Sequence, residues 1–224
     1  MNKISCAVLA AGMVLTILIS NIGSVVRDGR ELDELRNSVL RLHILADSDS
    51  KSDQQLKLMV RDTLLEHSDE IFGNADSLEA AEKNAQENLG LIRELAEETL
   101  RKNGCTDSVS AELTDMHFDK RIYGDITMPA GEYRALRVTI GSAQGHNWWC
   151  VMYPPLCIPA ACEYTDDSED EESATESAVT GEITDDKETG EEFFDENQQD
   201  ILYHPEKYEI RFALWDKLKS WFRN

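Results

Sequence analysis

The acidic charge of this 224-residue chain is concentrated in one segment, residues 163–200. The segment holds 17 Asp or Glu against one Lys, which accounts for −16 of the total net charge of −22. It has almost no apolar stripe, so it cannot bury enough surface to offset the entropy lost on ordering, and its composition predicts a disordered linker. The folded part must therefore come from the flanking residues. These carry no basic patch of the kind that follows phosphates, which argues against a nucleic-acid partner.

An uncharged run of 23 residues lies between Lys3 and Arg27. As a helix this run would span roughly 34 Å, which is enough to cross a bilayer. It is typical of a secretory signal or a signal-anchor, and the residues around Ser20 to Ser24 offer no clear small-x-small cleavage site. We therefore expect export, with residues 1–27 as signal peptide or signal-anchor and a preference for an anchor through residues 4–26.

Export favours disulfides for the cysteines that follow this run. Four of them remain, and an even number in an oxidising compartment is typical of a disulfide framework with three possible connectivities. We prefer the pair Cys150 and Cys157, which closes a short loop with a Pro-Pro turn and would stabilise the fold by roughly 2–3 kcal/mol. Cys105 and Cys162 would form a second pair.

Apolar periodicity places one α+β domain in residues 28–162, with two amphipathic helices packed on one face of a small, mostly antiparallel sheet. The first helix is expected over residues 53–67, capped by Ser50 or Ser52. A second helix begins at a capping box at residues 76–79 and runs six turns before Gly104. Residues 141–145 resemble a hairpin loop. The predicted strands are 39–46, 108–118, 133–140 and 147–153.

The last segment, residues 201–224, reads as a basic amphipathic helix. Its apolar side carries Trp215, Leu218, Trp221 and Phe222. Three alternatives remain open for it: docking onto the domain, lying in a membrane interface, or contacting a protein partner.

No motif for metal binding or catalysis is present in the sequence. The run D-S-D-S-K-S-D at residues 47–53 resembles a calcium loop, but it has Ser52 and Leu58 where an EF-hand needs Gly and Glu, so we interpret it as a turn and helix cap. The five histidines have no paired spacing, and C-x6-C fits neither a zinc knuckle nor a redox pair. We expect no metal and no cofactor. A cysteine nucleophile, with His146 as its base, is the enzymatic alternative.

Two blocks of the sequence carry a resemblance to a known family. They are LRLHILADSDSKSDQQLKLMVRD within residues 39–62 and ITMPAGEYRALRVTIGSAQGHNWWCVMYPPLC at residues 126–157. Both closely resemble the stage II sporulation protein R family. The resemblance covers about residues 32–157 together with the apolar amino-terminal segment. Its most specific part is N-W-W-C-V-x-x-P-P-L-C. Residues 163–200 are longer and more acidic than the family's variable segment at this place.

The resemblance implies a signalling protein of endospore formation and not an enzyme. Such a protein is exported across the forespore membrane into the septal intermembrane space, where it activates a membrane-embedded aspartic protease of the mother cell that processes pro-sigma-E. The resemblance implies no small-molecule substrate, while membrane-surface contact stays open. An envelope enzyme with a cysteine nucleophile and a cell-envelope binding module are the alternatives.

The loop from Trp148 to Cys157 is the candidate for presenting or supporting the partner contact. Its candidate residues are Trp148, Trp149, Pro154 and Pro155. If residues 147–153 form a strand, the two tryptophans point to opposite faces.

Overall fold

Seven helices and six strands make up the computed structural model, within the residues that it describes: 3–123, 126–154 and 194–222. A short 3-10 turn at Pro205–Lys207 separates the last two helices. In chain order the elements are α1 (Lys3–Arg36), β1 (Leu40–Leu45), α2 (Lys51–Glu66), α3 (Ser68–Phe72), α4 (Leu78–Glu87), α5 (Leu89–Lys102), β2 (Val109–Phe118), β3 (Arg121–Tyr123), β4 (Ile126–Met128), β5 (Gly131–Ile140), β6 (Asn147–Tyr153), α6 (Glu196–Tyr203) and α7 (Glu209–Phe222).

Four strands form a mixed sheet in the order β2-β5-β1-β6. β1 pairs parallel with β5 and antiparallel with β6, while β2 pairs antiparallel with β5. β3 and β4 form a separate two-stranded ribbon that the sequence did not predict. The α+β class is confirmed, and each of the four predicted strands lies within two residues of an observed one. The sheet is mixed because β1 and β5 run in the same direction.

The expected hairpin between β5 and β6 is wrong, because β1 lies between these two strands. The connection at residues 141–146 instead crosses the end of β1. There the backbone N–H of Gly145 donates to Ala46 O at 3.0 Å, and that of Gln144 donates to Asp47 O at 3.1 Å. The alternation of apolar residues indicates which side of a strand faces the core, but it carries no information on which strand lies beside it.

Helices α2 to α5 cover one face of the sheet. Ser50 accepts the backbone N–H of Asp53, so the predicted cap of α2 is confirmed. Ser77 accepts the backbone N–H of Ala80, so the cap of α4 lies one residue after Asp76, the first residue of the predicted capping box. The predicted six-turn helix is divided at Asn88, whose Nδ2 donates to Ile71 O at 2.9 Å and ties the junction to α3. The fully buried side chains of this layer include Leu42, Ile44, Val60, Leu64, Ile71, Ile92, Ala96, Leu100, Leu136 and Val138.

A second helical layer, formed by the last turns of α1 with α6 and α7, covers the opposite face. The predicted packing of two helical segments on one face holds for α2 and for α4 with α5, and the layer on the opposite face is additional to that prediction. The two layers differ because the second one joins elements from the two ends of the described chain, which local periodicity cannot bring together. Its buried side chains are Leu32, Leu35, Phe118, Tyr133, Val151, Ile201, Leu202 and Phe212.

The helix α6 begins inside the segment 163–200 that the composition assigned to a linker. Asp195 caps it, accepting from the backbone N–H of Gln198 at 2.9 Å while the Gln198 side chain bonds back to the backbone of Asp195. Ile201 and Leu202 are then buried against the sheet. The earlier part of that segment, up to residue 193, lies outside the described residues.

The helix α1 extends beyond the expected signal segment and ends at Arg36. Among the side chains of α1 that the structure describes, the first buried one is Asp28, where the chain enters the second helical layer. Of the helices in the described part of the chain, none combines the length and the apolar character that crossing a membrane requires.

The crossover connection gives a direct test of the fold. A Cβ at Gly145 would overlap the carbonyl oxygen of Ser48, whereas a Cβ at Gly90 in α5 would meet open space. Gly145→Ala should lower the free energy of unfolding by about 1–3 kcal/mol because it overpacks the loop. The matched change Gly90→Ala should be neutral or stabilising by up to about 1 kcal/mol. Urea unfolding of the two purified variants measures the difference, and equal midpoints would contradict the placement of the loop.

Candidate interaction site

The two adjacent tryptophans of β6 point to opposite faces of the sheet, as predicted for a strand. Trp148 lies on the side of α2 to α5, where the guanidinium of Arg61 sits 4.3 Å from its ring centroid. Trp149 lies on the other side, stacked on His43 with 3.9 Å between ring centroids, and its Nε1 donates to Asn147 Oδ1 at 2.9 Å. Both indoles are partly buried, so this strand is braced from both sides.

Cationic and aromatic side chains form a continuous layer under the second set of helices. Arg41 is fully buried, with its guanidinium 4.1 Å from the ring centroid of Phe118 and 5.0 Å from that of Tyr133. Phe118 in turn meets Trp149 edge-on at 4.7 Å. The ring faces stabilise the buried cation electrostatically. The sequence signal for this layer is the alternation of Arg41 and His43 with apolar neighbours in β1.

His43 is buried without a hydrogen bond to either ring nitrogen from any residue that the structure describes. Its ring stacks on Trp149. Burial, together with the nearby charge of Arg137, lowers the pKa of His43 to about 4. The imidazole is therefore neutral near pH 7.

The Ser-Asp run after β1 ties that strand to the crossover connection. Asp47 Oδ1 accepts the backbone N–H of Ser142, and Asp49 Oδ1 pairs with the backbone N–H and the ring Nδ1 of His146. These hydrogen bonds lower the pKa of both carboxyl groups. The interpretation of the run as a turn and helix cap is confirmed. Within the described ranges no group of side chains is arranged to hold a metal ion.

Lys57, which sequence reasoning missed, joins α2 to the start of β6. Its Nζ donates to Gln54 Oε1 at 2.6 Å and to the backbone oxygens of His146 and Asn147 at 3.0 and 3.3 Å. Burial lowers the pKa of Lys57 to about 8. The sequence signal for this contact was a lysine on the apolar face of α2, the face that packs on the sheet. Its contacts hold the tryptophan-bearing strand against the helical layer.

Cys105 and Cys150 form no disulfide with any residue that the structure describes. Cys150 is fully buried on the helical side of β6, and Cys105 is partly buried, with its Sγ donating to Asp107 Oδ2 at 3.3 Å. Burial raises the pKa of Cys105, which disfavours a thiolate. Cys157 and Cys162 lie outside the described residues, so both disulfide pairs stay predictions.

The enzymatic alternative finds no support in the geometry of Cys150. Its side chain has no exposed surface, whereas His146 is exposed and pairs with Asp49. A nucleophile needs access to substrate and a base within hydrogen-bond reach.

Of the two prolines in the predicted contact loop, Pro154 is buried and follows a cis peptide bond from Tyr153. Pro155 lies outside the described residues. The buried position of Pro154 favours a supporting role over direct contact with a partner.

The carboxy-terminal helix docks on α1, which is one of the three alternatives the sequence left open. Trp215 Nε1 donates to Asp33 Oδ2 at 3.0 Å, Lys219 Nζ reaches the same carboxylate at 2.9 Å, and Arg36 Nη1 donates to Asp216 Oδ1 at 2.8 Å. A Cβ at Gly29 would overlap the indole of Trp215, so only glycine allows this approach. α7 is thus held close to α1.

The four apolar residues that the sequence analysis placed on one side of this helix do not all face α1. Trp215 faces α1 and is partly buried, while Leu218 and Trp221 face outward. The side chain of Phe222 lies outside the described residues. Arg211 pairs with the buried Asp28, which adds a further ion pair between α7 and α1.

Comparison with known proteins identifies a family. The family model described as stage II sporulation protein R matches residues 36–163, more than half of the chain. The stage II sporulation protein R of Bacillus subtilis (strain 168) is 39% identical over 122 residues, which is 54% of this chain and 54% of that protein. The chain thus spans about half the length of the curated relative it matches. No solved structure gives a significant match.

The burial of His43 predicts a specific pH dependence of stability. The folded protein binds a proton at His43 less readily than the unfolded chain, so the stability from the neutral ring is fully present above about pH 6.5 and is lost as the pH falls toward about 4. His43→Phe keeps a ring against Trp149 but removes this titration. The wild type should lose up to about 3 kcal/mol more than His43→Phe over this window, at about 1.4 kcal/mol per pKa unit. Denaturant titrations at several pH values measure it, and parallel curves would contradict it.

Proposed function

Because the chain belongs to the stage II sporulation protein R family, we propose that it is an exported signalling protein of endospore formation that activates a membrane-embedded aspartic protease. The match over residues 36–163 is the observation that carries the proposal. In this proposal the protein leaves the forespore, reaches the septal intermembrane space and binds the protease of the mother cell. The activated protease then removes the pro-sequence of pro-sigma-E.

The construction of β6 supports a role as a rigid ligand. A binding surface that is already ordered loses less conformational entropy when it meets its partner. Trp149 is fixed by His43 and Asn147, and Trp148 lies against Arg61. We propose that the protease contacts the matched domain at this rigid strand. The buried Pro154 would support the end of the strand from inside the domain.

The disulfide pairs are part of the same proposal. Cys150 lies in β6, the last strand of the sheet, and Cys157 follows it within the same matched segment. In the oxidising space outside the cytoplasm, a bond between them would hold the chain that leaves β6. The second pair would join Cys105, at the end of α5, to Cys162.

Reconstitution in a non-sporulating host tests the proposed activity. The full chain, the membrane-embedded protease and the pro-sigma substrate are co-expressed, and processing is followed by the change in substrate size. Processing should require all three proteins and should disappear when the protease carries a replaced catalytic aspartate. Equal processing in the presence and absence of this protein would exclude the proposed role as an activator.

Cysteine variants test the disulfide and the enzymatic alternative together. Cys150→Ser and Cys157→Ser should lower the yield of folded exported protein to a similar extent, because either change opens the same loop. Cys157→Ser is the sharper variant, since Cys150→Ser also places a hydroxyl group in the core. Non-reducing mass analysis of tryptic peptides should show the linked pair. A free, alkylatable thiol at either position in the native exported protein would remove the disulfide proposal.

A further inference from the structure

We infer that the outward apolar face of α7 is a second contact surface for a protein partner. This face, the α7 stripe, consists of Ile210, Leu214, Leu218 and Trp221, which are 79, 51, 38 and 81% exposed. The inference rests on the proposed function for the identity of the partner, namely the extracytoplasmic part of the membrane-embedded protease. It adds a surface to that function, because α7 lies outside the residues 36–163 that define the family match.

The spacing of the stripe is that of one helix face. Its members are four, four and three residues apart, so they lie along a single side of α7 over nearly three turns. Only three other large apolar side chains are exposed among the described residues: Met13, Ile22 and Ile122. None lies on the helices α2 to α5. A concentration of exposed apolar groups on one element is typical of an interaction site.

The docked side of α7 holds the stripe in a defined direction. Trp215 packs on Gly29 of α1, and Asp33 accepts from both Trp215 and Lys219. Arg36 donates to Asp216 from the same helix. Because these contacts occupy the opposite side of α7, the stripe is presented without a partner element from the described part of the chain, and it is ordered before binding.

The charges around the stripe favour a neutral protein surface over an anionic lipid surface. A helix that lies on a membrane uses unpaired Lys and Arg side chains to attract anionic headgroups. Here Arg211 and Lys219 are committed to Asp28 and Asp33. Lys217 is the one basic residue in the described part of α7 that forms no ion pair there. A chain of net charge −22 would also be repelled by an anionic bilayer.

The composition of the rest of the chain argues against the stripe being covered by another segment of the same protein. Residues 163–193 contain 14 Asp or Glu and one Lys. Such a segment has no apolar stripe to complement four large aliphatic and aromatic side chains. The same charge disfavours a second copy of the chain, since two copies would bring like charges together. A partner with an apolar, uncharged face, such as a helix of a membrane protein where it leaves the bilayer, fits the stripe.

A binding assay with the detergent-solubilised protease tests this surface. The full chain carrying both Leu214→Glu and Trp221→Glu should bind the protease at least about tenfold more weakly, because two buried apolar contacts are replaced by charges. The double variant Ser110→Glu and Gln86→Glu is the control, since it adds the same two charges at exposed positions in β2 and α4, away from α7. Both positions of the double variant are more than half exposed, so its thermal unfolding should match that of the wild type.

The outcomes separate the stripe from the proposed function. Unchanged protease affinity of the double variant would overturn the stripe and leave the proposed function in place, whereas no binding by the wild type would overturn both. Two further measurements test the choice of partner. Stripe-dependent co-sedimentation with phosphatidylglycerol and phosphatidylcholine vesicles, with protease affinity unchanged, would assign the surface to lipid. Stripe-dependent self-association in analytical ultracentrifugation, again with protease affinity unchanged, would assign it to a second copy.

Discussion

The burial of β1 on both of its faces is the constraint on which the rest of the structure depends. Leu42 and Ile44 point into the layer of α2 to α5, while Arg41 and His43 point to the opposite face and are also buried. A strand with both faces buried and both edges paired must lie inside a three-layer arrangement. The connection from β5 to β6 then has to cross the end of β1, and helices have to cover two faces of the sheet.

The two helical layers are joined to the sheet by different physical means. The first is held by apolar contacts, together with the buried Lys57 that reaches the start of β6. The second covers a face that contains a buried cation, which is tolerated because Arg41 lies over two aromatic rings. Charge pairs between α1 and α7 then specify how the last helix sits. That orientation turns one apolar side inward and leaves the other outward.

The boundary of the family match falls between the two helical layers. Residues 36–163 contain the whole sheet and the first helical layer, whereas most of the second layer lies outside them. The matched residues therefore form the sheet with α2 to α5, including the strand that carries Trp148 and Trp149. The outward side of α7 lies outside the matched residues 36–163.

The sequence by itself determined the strands of the main sheet, the helix cap at Ser50 and the opposite directions of the two tryptophans, because these follow from local periodicity and from hydrogen bonds within one turn. Only the tertiary structure decided that β1 separates β5 from β6, that α6 and α7 return to cover the sheet, and that Lys57 and Arg41 are buried. Each of these depends on contacts between residues far apart in the chain. A local pattern shows that a surface must be buried, but the partner that buries it is chosen by packing of the whole molecule.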